Sequence, residues 1–178
     1  NACSIFEVQS GHSCTFGTSR AIAGTLRVNG TLTPSAAVVI SGTGSLSGTG
    51  TVKVTRTSAT ADFSSQYTLS TISLSSLTVD YSNATGGQTI SAVNYGNLTL
   101  SNTSGTQTAA NNLTVNGALS IAAGATLALG SYNLGTPTSI SMALSSQITG
   151  SGTITLGGNV TFTGSGASTT IAPNIALG

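Results

Sequence analysis

The chain has 178 residues, 4% of them charged, and a net charge of +1 carried by Arg20, Arg27, Lys53 and Arg56 against Glu7, Asp62 and Asp80. Ordinary soluble domains carry roughly 25% charge, and disordered chains pair high charge with low hydrophobicity, so 38% hydrophobic residues at this charge argues against disorder. No basic stripe exists to displace counterions from a nucleic acid, and no apolar run approaches the length that crosses a bilayer as a helix.

Residues 1–20 stand apart from the rest of the chain. They hold both cysteines, two of the four phenylalanines, Glu7 and the one histidine, His12. Ile5 to Val8 and Cys14 to Phe16 read as two strands around a Ser-Gly turn at residues 10 and 11. The segment reads either as a cap on a stacked structure or as a strand that docks on a neighbouring copy. Cys3 and Cys14 are expected to form a disulfide closing the loop between them, as in secreted chains, with two free thiols as the alternative. Ten intervening residues and the lack of further ligands exclude a CxxC-type metal or redox site. The sequence opens on Asn and shows no signal peptide, which fits a secreted protein whose leader has been removed, or an excised fragment.

From residue 21 the chain reads as one repetitive domain to residue 178. Leu26-x-Val28-Asn29-Gly30-x-Leu32 reappears as Leu113-x-Val115-Asn116-Gly117-x-Leu119. GTGSL at residue 42, GTGTV at 48 and GSGTI at 150 form a second motif; NLTL at 97, NLTV at 112 and NVTF at 159 form a third. Apolar residues recur two apart, as on one face of a strand, and the breaks are Gly, Asn and Ser. Such pairs continue through Val52 and Val54, Tyr67 and Leu69, Ile72 and Leu74, and Leu77, Val79 and Tyr81. Residues 84–88 and 102–107 read as polar loops, after which come Ile140 with Met142, Ile154 with Leu156, and Val160 with Phe162.

Strands of two to five residues cannot bury their own apolar rows, so each must be covered by similar units above and below. The pattern predicts an all-β, single-domain parallel β-solenoid of about 20 residues per coil, roughly eight coils and 40 Å long, with Asn ladders at the turns. A β-sandwich or jelly roll is the alternative, but it would show fewer, longer strands with charged outer faces.

The stretches LTVNGALSIAAGATLALGSYNLG, TLRVNG and ITGSGTITLGGNVTFTG resemble the passenger repeats of secreted bacterial β-helix proteins, the autotransporter and filamentous-haemagglutinin-like adhesins, over residues 24–166. That resemblance implies a parallel β-helix outside the cell, serving in adhesion or as a stalk.

Candidate sites are few. Asp62 and Asp80 are the one carboxylate pair that adjacent coils could bring together for lyase or glycosidase chemistry. His12 has only Ser13 and Glu7 near it in sequence, and reads as a loop histidine. Thr-x-Thr occurs at 31, 49, 55, 106, 136, 153 and 161, which raises ice binding, but the spacing is too irregular for a flat array. Glycosylation triplets lie at Asn29, Asn83, Asn97, Asn102, Asn112 and Asn159; with 59 Ser and Thr residues they permit glycosylation without arguing for it. The expectation is therefore an extracellular structural protein and not an enzyme. It needs no cofactor or metal, and its partners are copies of itself in a filament or, in an adhesin, glycans or a host surface.

Overall fold

A computed structural model describes residues 4–57, 60–135, 137–162 and 170–177. Every strand pairing in it is parallel, and the chain winds as a β-solenoid of about eight turns. A sandwich, with antiparallel layers, is excluded by that pairing.

Each turn contributes a strand to three faces in succession. The first face is one unbroken sheet of eight strands: Ser13–Phe16, Thr31–Pro34, Thr51–Val54, Thr78–Tyr81, Asn97–Leu100, Ala118–Ile121, Ser139–Met142 and Asn159–Phe162. In the N-terminal part the other two faces share one sheet, because Ile40–Ser47 bends across their common corner. Its start pairs with Arg20–Ala21, its end with Thr25–Val28, and its register shifts between Gly42 and Ser45. Tyr67–Ile72 follows the same bend. Beyond it, the two faces become separate five-stranded sheets that begin at Gln88–Ile90 and Asn94–Tyr95.

The reason for this winding lies in the alternation. On the first face Leu32, Val52, Val79, Leu98, Leu119, Ile140 and Val160 lie in one register column, and all but Val160 are fully buried. Similar columns run Leu26–Leu46–Ile72 and Leu113–Leu134–Ile154 on the third face, and Leu127–Ile148–Ile171 on the second. No rung owns a core; each is closed by its neighbours, and the buried side chains form one cluster along the axis.

The corners confirm the turn chemistry. Asn97 Oδ1 accepts from Ala118 N at 2.9 Å, Asn112 Oδ1 from Asn133 N at 2.9 Å, and Asn133 Oδ1 from Thr153 N at 2.8 Å. Each asparagine thus satisfies a backbone donor that leaves the ladder at the bend.

Three expectations need correction. Strands are not all of two to five residues: Ile40–Ser47 has eight and Tyr67–Ile72 has six, because these bridge a corner. The polar stretches at 84–88 and 102–107 are not only loops, since Gln88 and Thr106 begin strands and Gln88 and Gln107 are buried in the core column beneath Leu127. And a short helix, Asp62–Gln66, stands where strand pairing on two faces stops.

Candidate functional site

Sequence reasoning offers two places for function, the Asp62/Asp80 pair and the N-terminal segment. Asp62 opens the short helix, is fully buried, and accepts from Thr89 N at 2.6 Å on the second face. Asp80 alternates with the buried Val79 and Tyr81 and so turns outward on the first face. There it accepts from Ser101 Oγ at 2.6 Å and lies 3.7 Å from Lys53 Nζ one rung away. The two carboxylates therefore sit on neighbouring turns but serve different faces, and each already has donors. The structure does not assemble them into a pair.

The N-terminal segment is built as a full rung. Ile5–Val8 pairs with Thr25–Val28 on the third face, and Ser13–Phe16 pairs with Thr31–Pro34 on the first. Its two strands do not pair with each other; Gly11, at φ 76°, turns the corner between them. Ile5 and Phe6 are 41% and 42% exposed at this edge. Phe6 meets Phe16 edge-on at 5.5 Å, and the Arg20 guanidinium lies 5.9 Å over the Phe16 ring. Arg20 occupies the register position next to the buried Ile40, so a charge stands in line with an interior column. Inward charges of this kind blunt a sheet edge. The second face is blunted here, while among the described residues no strand pairs with the outer edge of the first or third.

Between the two edge strands lies an open cleft of about 270 Å³. Phe6, Val8 and Cys14 give it an apolar side, and Glu7, Gln9 and His12 a polar one. Glu7 is tied to the corner ladder, accepting from Asn29 Nδ2 at 2.8 Å. His12 Nδ1 lies 3.1 Å from Ser10 O. Cys14 is a half-buried free thiol; its expected disulfide partner, Cys3, lies outside the described residues. Among the described residues no three His, Cys, Asp or Glu side chains converge as a metal site.

The opposite end mirrors this exposure. Asn174–Leu177 is the last strand of the third face, and Ile175, in register with the buried Ile154, is 49% exposed. Of the four large hydrophobic side chains exposed among the described residues, Ile5, Phe6 and Ile175 lie on terminal rungs; Tyr132, on a corner, is the fourth.

The remaining motifs are spread over the surface. Thr31 and Thr33 lie on the first face, Thr106 and Thr108 on the second, Thr153 and Thr155 on the third, so the Thr-x-Thr pairs do not share one plane. Thr136 and Thr163 lie outside the described residues. Of the glycosylation triplets, Asn83 and Asn102 are buried with their amides engaged, Asn83 on Thr55 O and Asn102 on Gly86 O at 2.6 Å. Asn29 and Asn97 are half-buried in corner ladders, and Asn112 and Asn159 are exposed.

A buried polar cluster was missed by sequence reasoning. Tyr67, Tyr81 and Tyr95 are all buried, and Tyr67 donates to Lys53 O at 2.7 Å. Ser91 N donates to Tyr81 Oη at 2.9 Å, Tyr81 lies 2.9 Å from Tyr95 Oη, and Tyr95 donates to Ser91 O at 2.6 Å. Tyr95 has one proton and gives it to Ser91, so Tyr81 donates to Tyr95 and the ring of bonds closes. Burial pushes the Tyr81 phenol up to about 12 and raises Tyr67 and Tyr95 as well. Neutral phenols that hold each other this way fix the backbone around Ser91.

Comparison with family models, with curated proteins and with solved structures found no match.

Proposed function

We propose that this chain is a mechanical element: an extracellular structural rod that joins further copies end to end through the open edges of its terminal rungs. The observation that carries the reading is the placement of Phe6 and Ile175, apolar side chains in register with the buried Leu26 and Ile154 and left exposed on the outermost described rungs, while the columns between them are closed. Unpaired parallel strand edges add backbone donors and acceptors to those side chains. Head-to-tail contact of unlike ends does not close on itself and so propagates as a filament. Low charge, a hydroxyl-rich surface and the resemblance to secreted β-helix passengers support an extracellular setting.

The test is electron microscopy with sedimentation of the pure chain over a concentration series. Concentration-dependent rods, longer than one subunit, are expected from the unsubstituted chain. Phe6→Lys and Ile175→Lys are each expected to leave a folded monomer, because each places a charge on one of the mating edges. Deleting residues 1–20 would be a poorer test, since it removes a structural rung and bares the next. A chain that stays monodisperse at high concentration overturns the proposal.

The cleft between Ile5–Val8 and Ser13–Phe16 favours a second reading, a surface adhesin that holds a glycan at its tip. A glycan array bound saturably by monomer, and lost on Phe6→Lys, would support it; an array without hits would count against it.

A further inference from the structure

We infer that the rod is two blocks hinged on its first face, and that it opens at one internal seam before any other part of its interior. The seam lies between Tyr67–Ile72 below and Gln88–Ile90 with Asn94–Tyr95 above. Elsewhere each strand of the second and third faces pairs with the strand one turn on; here, among the described residues, no strand pairing crosses on either face. Only the first face passes through, from Thr51–Val54 to Thr78–Tyr81 to Asn97–Leu100.

Side chains stand in for the missing ladder. One turn above the seam, Ala110 N donates to Ile90 O as an ordinary rung. At the seam, Thr89 N donates to the Asp62 carboxylate at 2.6 Å and Ser91 N to the Tyr81 hydroxyl. Ser64 N donates to Ser91 Oγ at 3.0 Å, binding the short helix to the upper block. Asn83 N donates to Gln88 Oε1 at 3.0 Å, and Gln88 Nε2 donates to Val54 O at 2.8 Å and Arg56 O at 2.9 Å. Gln66 binds the lower side, accepting from Thr55 N at 2.9 Å and donating to Ser35 O at 3.2 Å. Asp62, Gln66, Asn83, Gln88 and Ser91, five of the nine buried polar residues among those described, lie at the seam.

Two effects compete. A fully bonded polar network in a dry interior is stiff. Yet a stacked protein parts at its weakest neighbour contact, and contacts differ in what opening exposes. Parting two ordinary rungs exposes Leu, Val and Ile to water, which water does not repay. Parting the seam also exposes apolar surface, that of Phe63, Tyr67, Ile90 and Tyr95, but there it comes with a carboxylate, amides and hydroxyls, which water solvates at once and which offset part of that cost. Opening therefore costs least at the seam, although it lies in mid-rod.

Native-state hydrogen exchange on the unsubstituted full chain, read residue by residue in sub-denaturing urea, tests this directly. The amides of Thr55, Asn83, Thr89 and Ser91 are expected to exchange at least about 10-fold faster than ladder amides in Thr25–Val28 and Thr126–Ala128. The two flanking blocks are expected to lose protection at different urea concentrations. Tyr81→Phe, which breaks the tyrosine ring, should speed exchange at Ser91 and Thr89 and leave Thr25–Val28 unchanged. Protection that peaks at the seam and falls evenly toward both ends overturns the inference. So does uniform acceleration of all amides in Tyr81→Phe, which would make the rod one cooperative unit.

Discussion

At the scale of single residues, the Gly-[Ser/Thr]-Gly motif has a plain physical meaning. Its first glycine turns the chain with positive φ: 120° at Gly42, 134° at Gly48 and 129° at Gly150. Its second approaches the rung below, where a Cβ on Gly44, Gly50 or Gly152 would fall against the carbonyl oxygen of Gly24, Gly30 or Tyr132. Gly48 meets both demands, since its Cβ would also strike Val28 O. Gly48→Ala is therefore expected to destabilise the chain by more than the about 1–3 kcal/mol of backbone strain alone. Gly124 provides the control: φ is 76° and no atom lies within 4 Å of its Cβ position, so alanine there should cost only about 1–2 kcal/mol. Urea midpoints of the two variants measure the difference, and equal midpoints would refute the close-approach account.

At the scale of the element, what the sequence reveals depends on whether a residue's partner shares its local pattern. Leu113, Val115, Leu119 and Ile121 are legible as two strands because alternation alone dictates which side turns inward. Their Asn-Gly break is legible because the turn needs it. Gln88 and Gln107 look like loop residues because glutamine is ordinarily exposed; the burial of Gln88 rests on acceptors up to 34 residues away, and Gln107 is buried by its place in the column between Gln88 and Leu127. The helix Asp62–Gln66 has one turn and shows no apolar period to detect. Its insertion stretches one turn of the first face to 27 residues, against 18 to 21 in the others, which is why the motif spacing looks uneven while the strand register is regular. The exposure of Phe6 and Ile175 is not legible at all, because it depends on which rungs lie outermost among the described residues. The tyrosine ring at the seam gives the element its own test. A phenol whose folded value lies above its ordinary 10.0 binds its proton more tightly in the folded state. Its contribution to stability is whole below pH 10 and is lost as pH rises through about 12, where Tyr81 titrates. Alkaline titration should thus show the buried phenolates appearing together with loss of β-sheet circular dichroism. Phenolate absorbance for all three buried tyrosines with the sheet intact would contradict their burial.

At the scale of the molecule, the balance of forces is set by how little charge there is. Seven charged side chains serve 178 residues, all of them at or before Asp80. The ion pair of Lys53 with Asp80 joins a lysine about a third exposed to a buried carboxylate at 3.7 Å, and a single such pair on the outside of a sheet is a small part of the balance. Cohesion therefore comes from apolar columns and backbone ladders, neither of which depends on screening. The same would hold for the proposed end-to-end contact: Ile175 comes from a half of the chain without charges, so little long-range repulsion or attraction from that half would act on approach. Ionic strength provides the discriminating measurement. Between about 0.01 M salt, where charges act over about 30 Å, and about 1 M, where they act over about 3 Å, the concentration at which the unsubstituted chain forms rods should stay nearly constant. Ile175→Lys places a cation opposite the N-terminal strand of the same face, Ile5–Val8, which carries Glu7, so any residual association in that variant should weaken as salt rises. A rod that dissolves in high salt without substitution would mean that charges, and not the open apolar edges, hold the copies together.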